Sequence, residues 1–161
     1  MASNELLGVY LNDHLAGSAA GLELAEKLRD NNHGTELGRV MATLHHDIEQ
    51  DRSALEELMA RLDVTRHPVK EAAGWALERL SRLRLNPLLT GSADLTRLLE
   101  TEALSLGIEG KQLMWVALKE AAAHDERLAD TDYDRLIERA STQRRTLEPH
   151  RQAAALSAFP A

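Results

Sequence analysis

Thr35–Asp63 reads TELGRVMATLHHDIEQDRSALEELMARLD, and in it Leu37, Met41, Leu44, Ile48, Asp51, Leu55, Leu58 and Leu62 recur every three or four residues. That is the 3.6-residue period of a helix with one apolar face, sustained over many turns. Thr35 is a suitable N-cap, because its hydroxyl accepts from an amide that the first turn leaves without a partner. Upstream, the same period runs through Leu7, Tyr10, Leu11, His14, Ser18, Gly21, Leu22, Ala25 and Leu28. It predicts a first long helix, with Ser3 as its N-cap and Asn31-Asn32-His33-Gly34 as its stop. Two long helices joined by so short a turn form an antiparallel hairpin.

Downstream, His67-Pro68 starts a shorter helix, since proline at the first helical position gives up only an amide that had no partner. Its apolar side is Ala72, Ala73, Ala76, Leu77, Leu80 and Leu83. Asn86-Pro87 and Thr90-Gly91-Ser92 break the chain before Leu95, Leu98, Leu99, Glu102 and Leu106 begin another periodic run. Gly107 and Gly110 interrupt that run and Lys111–Leu118 resumes it, which predicts a kink or two short helices end to end. A last helix spans about Asp132 to Ala158, with Tyr133, Leu136, Ala140, Gln143, Leu147, His150 and Ala154 on one side and a bend at Pro149. With no internal repeat and no linker, residues 1–161 read as one all-α domain.

Composition narrows the function classes. The chain has 161 residues, Asp+Glu 26 against Lys+Arg 19, a net charge of −7 and aromatics at only 3%. Abundant Leu and Ala with few β-branched residues favour helix over sheet. Without a basic block, the phosphate attraction on which nucleic-acid binders depend is missing. No cysteine is present, so a metal would be held by His and carboxylates. The N-terminal stretch MASNELLGVYLNDHLAG has no positive leader and carries Glu5 and Asp13 within its apolar run, unlike a signal peptide or membrane span. The expected setting is cytoplasmic, with neither nucleic acid nor membrane as partner.

Each long helix carries a polar residue on its apolar stripe, where burial is costly unless the group is paired. These are His14, Asp51, Glu102 and His150. At 1.5 Å of rise per residue, His14 and Asp51 stand almost equally far from a turn at His33. Glu102 and His150 do so about a turn near Arg127, and Asp47 stands one turn before Asp51.

Two helical hairpins joined by a long crossover, with inward His and carboxylates, resemble the ferritin-like superfamily of four-helix bundles, a likeness covering nearly the whole chain. It implies an up-down four-helix bundle with an extra crossover helix and a di-iron centre. In di-iron members each hairpin supplies a Glu from one helix and Glu-x-x-His from the other. Here Glu-x-x-His occurs nowhere; His46 precedes Glu49, and Glu148 is followed three residues on by Arg151.

The expectation is a non-catalytic bundle without a complete di-iron site, forming a homo-dimer or other homo-oligomer. In it the inner residues make a buried polar network, with Lys70, Lys111 or Arg144 as counter-charge. The alternative is a redox or storage protein holding Fe, Mn or Zn through His14, Asp51, Glu102, His150 and Asp47. A third reading is a binding module for a partner helix or a small apolar ligand, with Trp75 or Trp115 in the wall. The small-residue patch Gly17–Gly21 reads as a site of close helix packing.

Overall fold

The computed structural model describes residues 2–67 and 92–160, which form four α-helices: α1 (Ala2–Asn31), α2 (Glu36–Arg61), α3 (Ala93–Ala122) and α4 (Tyr133–Ala158), with one 3₁₀ turn at Glu126–Leu128. No strand occurs among the described residues, and no helix among them is long and apolar enough to cross a membrane. The short helix expected from His67 to Leu85, with Lys70 and Trp75, falls outside the described residues beyond His67.

Local chemistry fixes the helix ends. Thr35 takes an extended backbone and its hydroxyl accepts the Gly38 N–H at 3.1 Å, as a threonine N-cap should. Ser92 caps α3 through Leu95 N–H at 3.2 Å, and Asp132 caps α4 through Arg135 N–H at 3.1 Å. Between α1 and α2 the Asn32 side chain donates to the Leu28 carbonyl at 2.7 Å, and Gly34 turns the chain with a φ of +80°. Gly38 then passes so close to the turn that a Cβ there would lie 2.3 Å from the Asn32 carbonyl oxygen. The α1 helix starts at Ala2, so Ser3 lies inside its first turn and is not its cap.

Two apolar clusters fill the bundle. One joins Leu11 and Leu15 of α1, Leu55, Leu58 and Met59 of α2, Met114, Trp115 and Leu118 of α3, and Tyr133 and Leu136 of α4. The other joins Leu24 and Leu28, Met41, Leu44 and Ile48, Leu104 and Ile108, and Ala140 and Leu147. The start of α1 thus shares one end with the close of α2, the close of α3 and the start of α4. Consequently α2 and α3 run parallel, and α2 ends at the end opposite to where α3 begins. Helix α1 lies against α2 and α3, and α4 against α3 and α2, which makes every neighbouring pair antiparallel. On leaving α2 the chain is pinned to α1 by Asn12, whose amide donates to the Thr65 carbonyl at 3.0 Å and accepts the His67 N–H at 2.8 Å.

Helix α3 runs unbroken through Gly107 and Gly110, in place of the kink or pair of short helices that two glycines predict. Each helical glycine costs about 1 kcal/mol relative to alanine. Ile108 belongs to one apolar cluster and Met114, Trp115 and Leu118 to the other, so a break between them would disrupt both. Helix α4 continues through Pro149 to Ala158.

Candidate functional site

Between the two clusters lies a polar cross-link of three helices. Asp51 of α2 is 2% exposed and its carboxylate is fully engaged. Lys111 of α3 and Gln143 of α4 donate to Oδ2, the amide at 2.9 Å, while Arg139 of α4 donates to Oδ1 from Nε at 2.6 Å. Lys111 also reaches the Gln143 amide oxygen, and Arg139 extends outward to the Gln50 amide oxygen at 3.1 Å. Asp51, Ile48 and Leu55 share one face of α2, so the periodicity that buries the leucines buries the carboxylate with them. Paired and hydrogen-bonded in this way, the charge is tolerated where a lone one would not be.

Two cations face this one buried carboxylate. Burial pushes the Lys111 amine below its ordinary range; the Asp51 carboxylate opposes that, Arg139 adds to it, and Asp47 opposes it from further off. The sign for stability follows from proton counts. The unfolded lysine holds its proton up to about pH 10.5 while the folded one releases it earlier, so between those points the unfolded chain binds more protons and stability rises with pH. Lys111→Met therefore abolishes this rise. The check is how the difference in unfolding free energy between wild type and variant changes from about pH 7 to 10: it shifts in favour of wild type with Lys111 held low, and stays constant if Lys111 titrates normally.

The structure places the other sequence-derived candidates apart from this cluster. His14 is half-buried on α1 with its ring edge-on to Tyr10, centroids 4.7 Å apart, and burial lowers its pKa against the pull of Asp13. It is not level with Asp51: a Cβ on Gly21 would meet Ile48 at 4.0 Å, a register that sets Asp51 opposite the Ser18 turn. The offset from a pairing about His33 is about one helical turn, because the packed helices pair about a point further along the chain. Glu102 and the end of α4 are level as expected, but the group that meets Glu102 is Arg151, at 3.4 Å, with His150 beside it in the chain. Arg151 is also held by Glu148 through two bonds at 2.7 and 2.8 Å, and it keeps the Glu148 carboxyl down at about 2. Asp47 is half-buried one turn before Asp51. Arg144 pairs with Glu109 instead of an inner carboxylate.

Glu100 is the acidic residue that the periodicity missed. It is 4% exposed and bound by Lys27 of α1, whereas Glu102, which the stripe selected, is far more open. The usable signal was Lys27 itself, a cation between Leu24, Ala25 and Leu28 on a helix face that buries all three.

The residues do not fit the metal centre that a ferritin-like fold implies. Such a centre needs carboxylate and imidazole lone pairs directed at one point. Here both Asp51 oxygens accept from protein cations, Glu100 faces Lys27, and Glu102 and Glu148 share Arg151. Among the described residues no three His, Asp or Glu side chains converge. The groove nearest to the network, about 560 Å³ between α2 and α4, presents Arg61, Arg135 and Arg139 against Glu49, Glu57, Asp130 and Asp132, a balance that selects neither anion nor cation. Trp115 is fully buried in the core rather than in a ligand wall. No family model matches the chain, and neither a curated protein nor a solved structure matches it.

Proposed function

We propose that the protein is a non-catalytic, homo-oligomeric bundle of ferritin-like topology in which the chain's own cations stand where such bundles place metal. The observation that carries this is the Asp51 carboxylate, buried at the centre of the bundle with Lys111, Arg139 and Gln143 on its oxygens. The helix order supports the topology: α2 and α3 are parallel, and joining them takes one long crossover, the connection that distinguishes ferritin-like bundles from those with short loops throughout. Arg151 supports the chemistry, since it follows Glu148 at the spacing where a di-iron helix carries histidine and closes an ion pair with it.

The test is thermal unfolding of the chelator-treated protein with added Mn(II), Zn(II) or, anaerobically, Fe(II). The expected result is an unchanged Tm. Binding to the folded state alone at a hundredfold excess over Kd adds about 2.7 kcal/mol, or roughly 5–10 °C for a chain of this size. A rise of that size would overturn the proposal in favour of a metal-binding redox or storage protein.

A further inference from the structure

The residues that meet across the polar cross-link stand in helix stripes that are otherwise apolar. On α2, Leu44 and Leu58 lie one heptad before and after Asp51; on α3, Leu104 and Leu118 lie so about Lys111; on α4, Leu136 precedes Gln143 by a heptad and His150 follows it by one. All five leucines are buried, none more than 6% exposed. Packed stripes that repeat in this way have a competing alignment one heptad away, in which leucine meets leucine again, and a single polar position is what tells the alignments apart. Sliding α3 and α4 by a heptad along α2 sets Asp51 against Leu118 and Leu136 with Lys111 at Leu44, or against Leu104 and His150 with Lys111 at Leu58. Lys111 meets leucine in both cases, which leaves a charge in the interior without its partner.

We propose that the Asp51 layer is a register lock, which fixes the α1–α2 hairpin at one height on the α3–α4 hairpin. Inside each hairpin a short, bonded turn already sets the alignment. Asn32 and Thr35 hold the first, and the Tyr133 hydroxyl donates to the Leu128 carbonyl at 2.9 Å in the second. Between the hairpins the chain runs through residues 62–92, whose contour length far exceeds the ~10 Å of a one-heptad slip, so connectivity does not choose the register. The bonds of the layer do choose it. Asp51 is the acceptor from the first hairpin, and Lys111, Arg139 and Gln143 are donors from the second, so every bond to this carboxylate crosses the boundary that would slide. Among the described residues the other buried carboxylate that bridges the hairpins is Glu100, bound by Lys27. A lock of this kind goes beyond the proposed function and is the same in one chain or an oligomer. It gives the interior ions a role that stability does not, since apolar side chains of similar volume often pack as stably as a buried ion network.

The test replaces the whole layer by apolar residues and measures the register directly. The fourfold variant is Asp51→Leu, Lys111→Leu, Arg139→Met and Gln143→Leu in the full chain. Since the chain lacks cysteine, Glu23→Cys on α1 and Glu120→Cys on α3, both exposed, place one nitroxide spin label on each hairpin. With Lys27 level with Glu100, these two positions stand about 24 Å apart along the bundle axis, and a slip of one heptad changes that by about 10 Å. Distances are read by pulsed electron resonance, with labelled chain diluted into unlabelled chain so that each label sees only its own protomer. The otherwise wild-type chain is expected to give one narrow distance. The fourfold variant is expected to keep its helical spectrum and to give either a second population displaced by about 10 Å or a distribution broadened by that amount. One narrow distance in the fourfold variant overturns the lock, and means that the Lys27–Glu100 pair or the shape of Trp115 sets the register instead. Loss of the helical spectrum overturns it as well, because the layer would then be needed for folding itself.

Discussion

Asp51→Ala lowers the stability of the bundle by about 3–5 kcal/mol, the range for removing one partner of a buried ion network. The loss exceeds that of an ordinary aspartate because two cations depend on this carboxylate. Lys111 is 14% and Arg139 18% exposed at the side chain, and without Asp51 both would be left in the interior with the Gln143 and Gln50 amide oxygens and, further off, the Asp47 carboxylate. For a chain of this length each kcal/mol moves Tm by about 2–4 °C, so the variant should melt at least about 6 °C below wild type in calorimetry. Removing a cation instead is milder. Lys111→Met leaves Asp51 paired one-to-one with Arg139, and a methionine fits the same stem volume. The expected order of stability is wild type close to Lys111→Met, with Asp51→Ala well below both.

Trp115→Ala is the second large effect, about 3–5 kcal/mol by denaturant unfolding, because the indole is fully buried among Leu11, Leu55, Leu118 and the Tyr133 ring, 6.4 Å away between centroids. Its Nε1–H, however, has no hydrogen-bond partner among the described residues. An unpaired buried donor carries a desolvation cost of about 1–3 kcal/mol, which phenylalanine at the same place does not incur. Trp115→Phe should therefore lie within about 1.5 kcal/mol of wild type, the small cavity offset by the lost penalty. A Trp115→Phe variant as unstable as Trp115→Ala would mean that the N–H is bonded, most simply to an ordered water.

The helices were legible because their cause is local. The stripe from Leu37 to Leu62 fixes both the face of α2 and the burial of Asp51, and Thr35 is a cap in the structure as in the sequence. Lys111 was one of three lysine and arginine counter-charges that the sequence left open, and the fold chose it. What the sequence did not reveal depends on register between helices. A shift of a few residues in the α1–α2 pairing separates His14 from Asp51, and no local pattern encodes that shift. Arg139 escaped notice because it lies beside the α4 stripe and reaches inward with a long side chain, as arginine does when its stem packs and its head finds a carboxylate. Gly107 and Gly110 misled for the complementary reason: intrinsic propensity favours a break, and tertiary packing on both sides of them overrides it.

The central claim is that Asp51 serves the bundle as the anion of a protein ion network, and a double-mutant cycle between Asp51 and Arg139 tests it most directly. Unfolding free energies are needed for wild type, Asp51→Ala, Arg139→Ala and the double variant, in chelator. The two groups share a hydrogen bond of 2.6 Å, so the double variant should lose at least about 1.5 kcal/mol less than the sum of the single losses. Additivity within about 0.5 kcal/mol would show that the pair does not interact in solution, and would contradict the account.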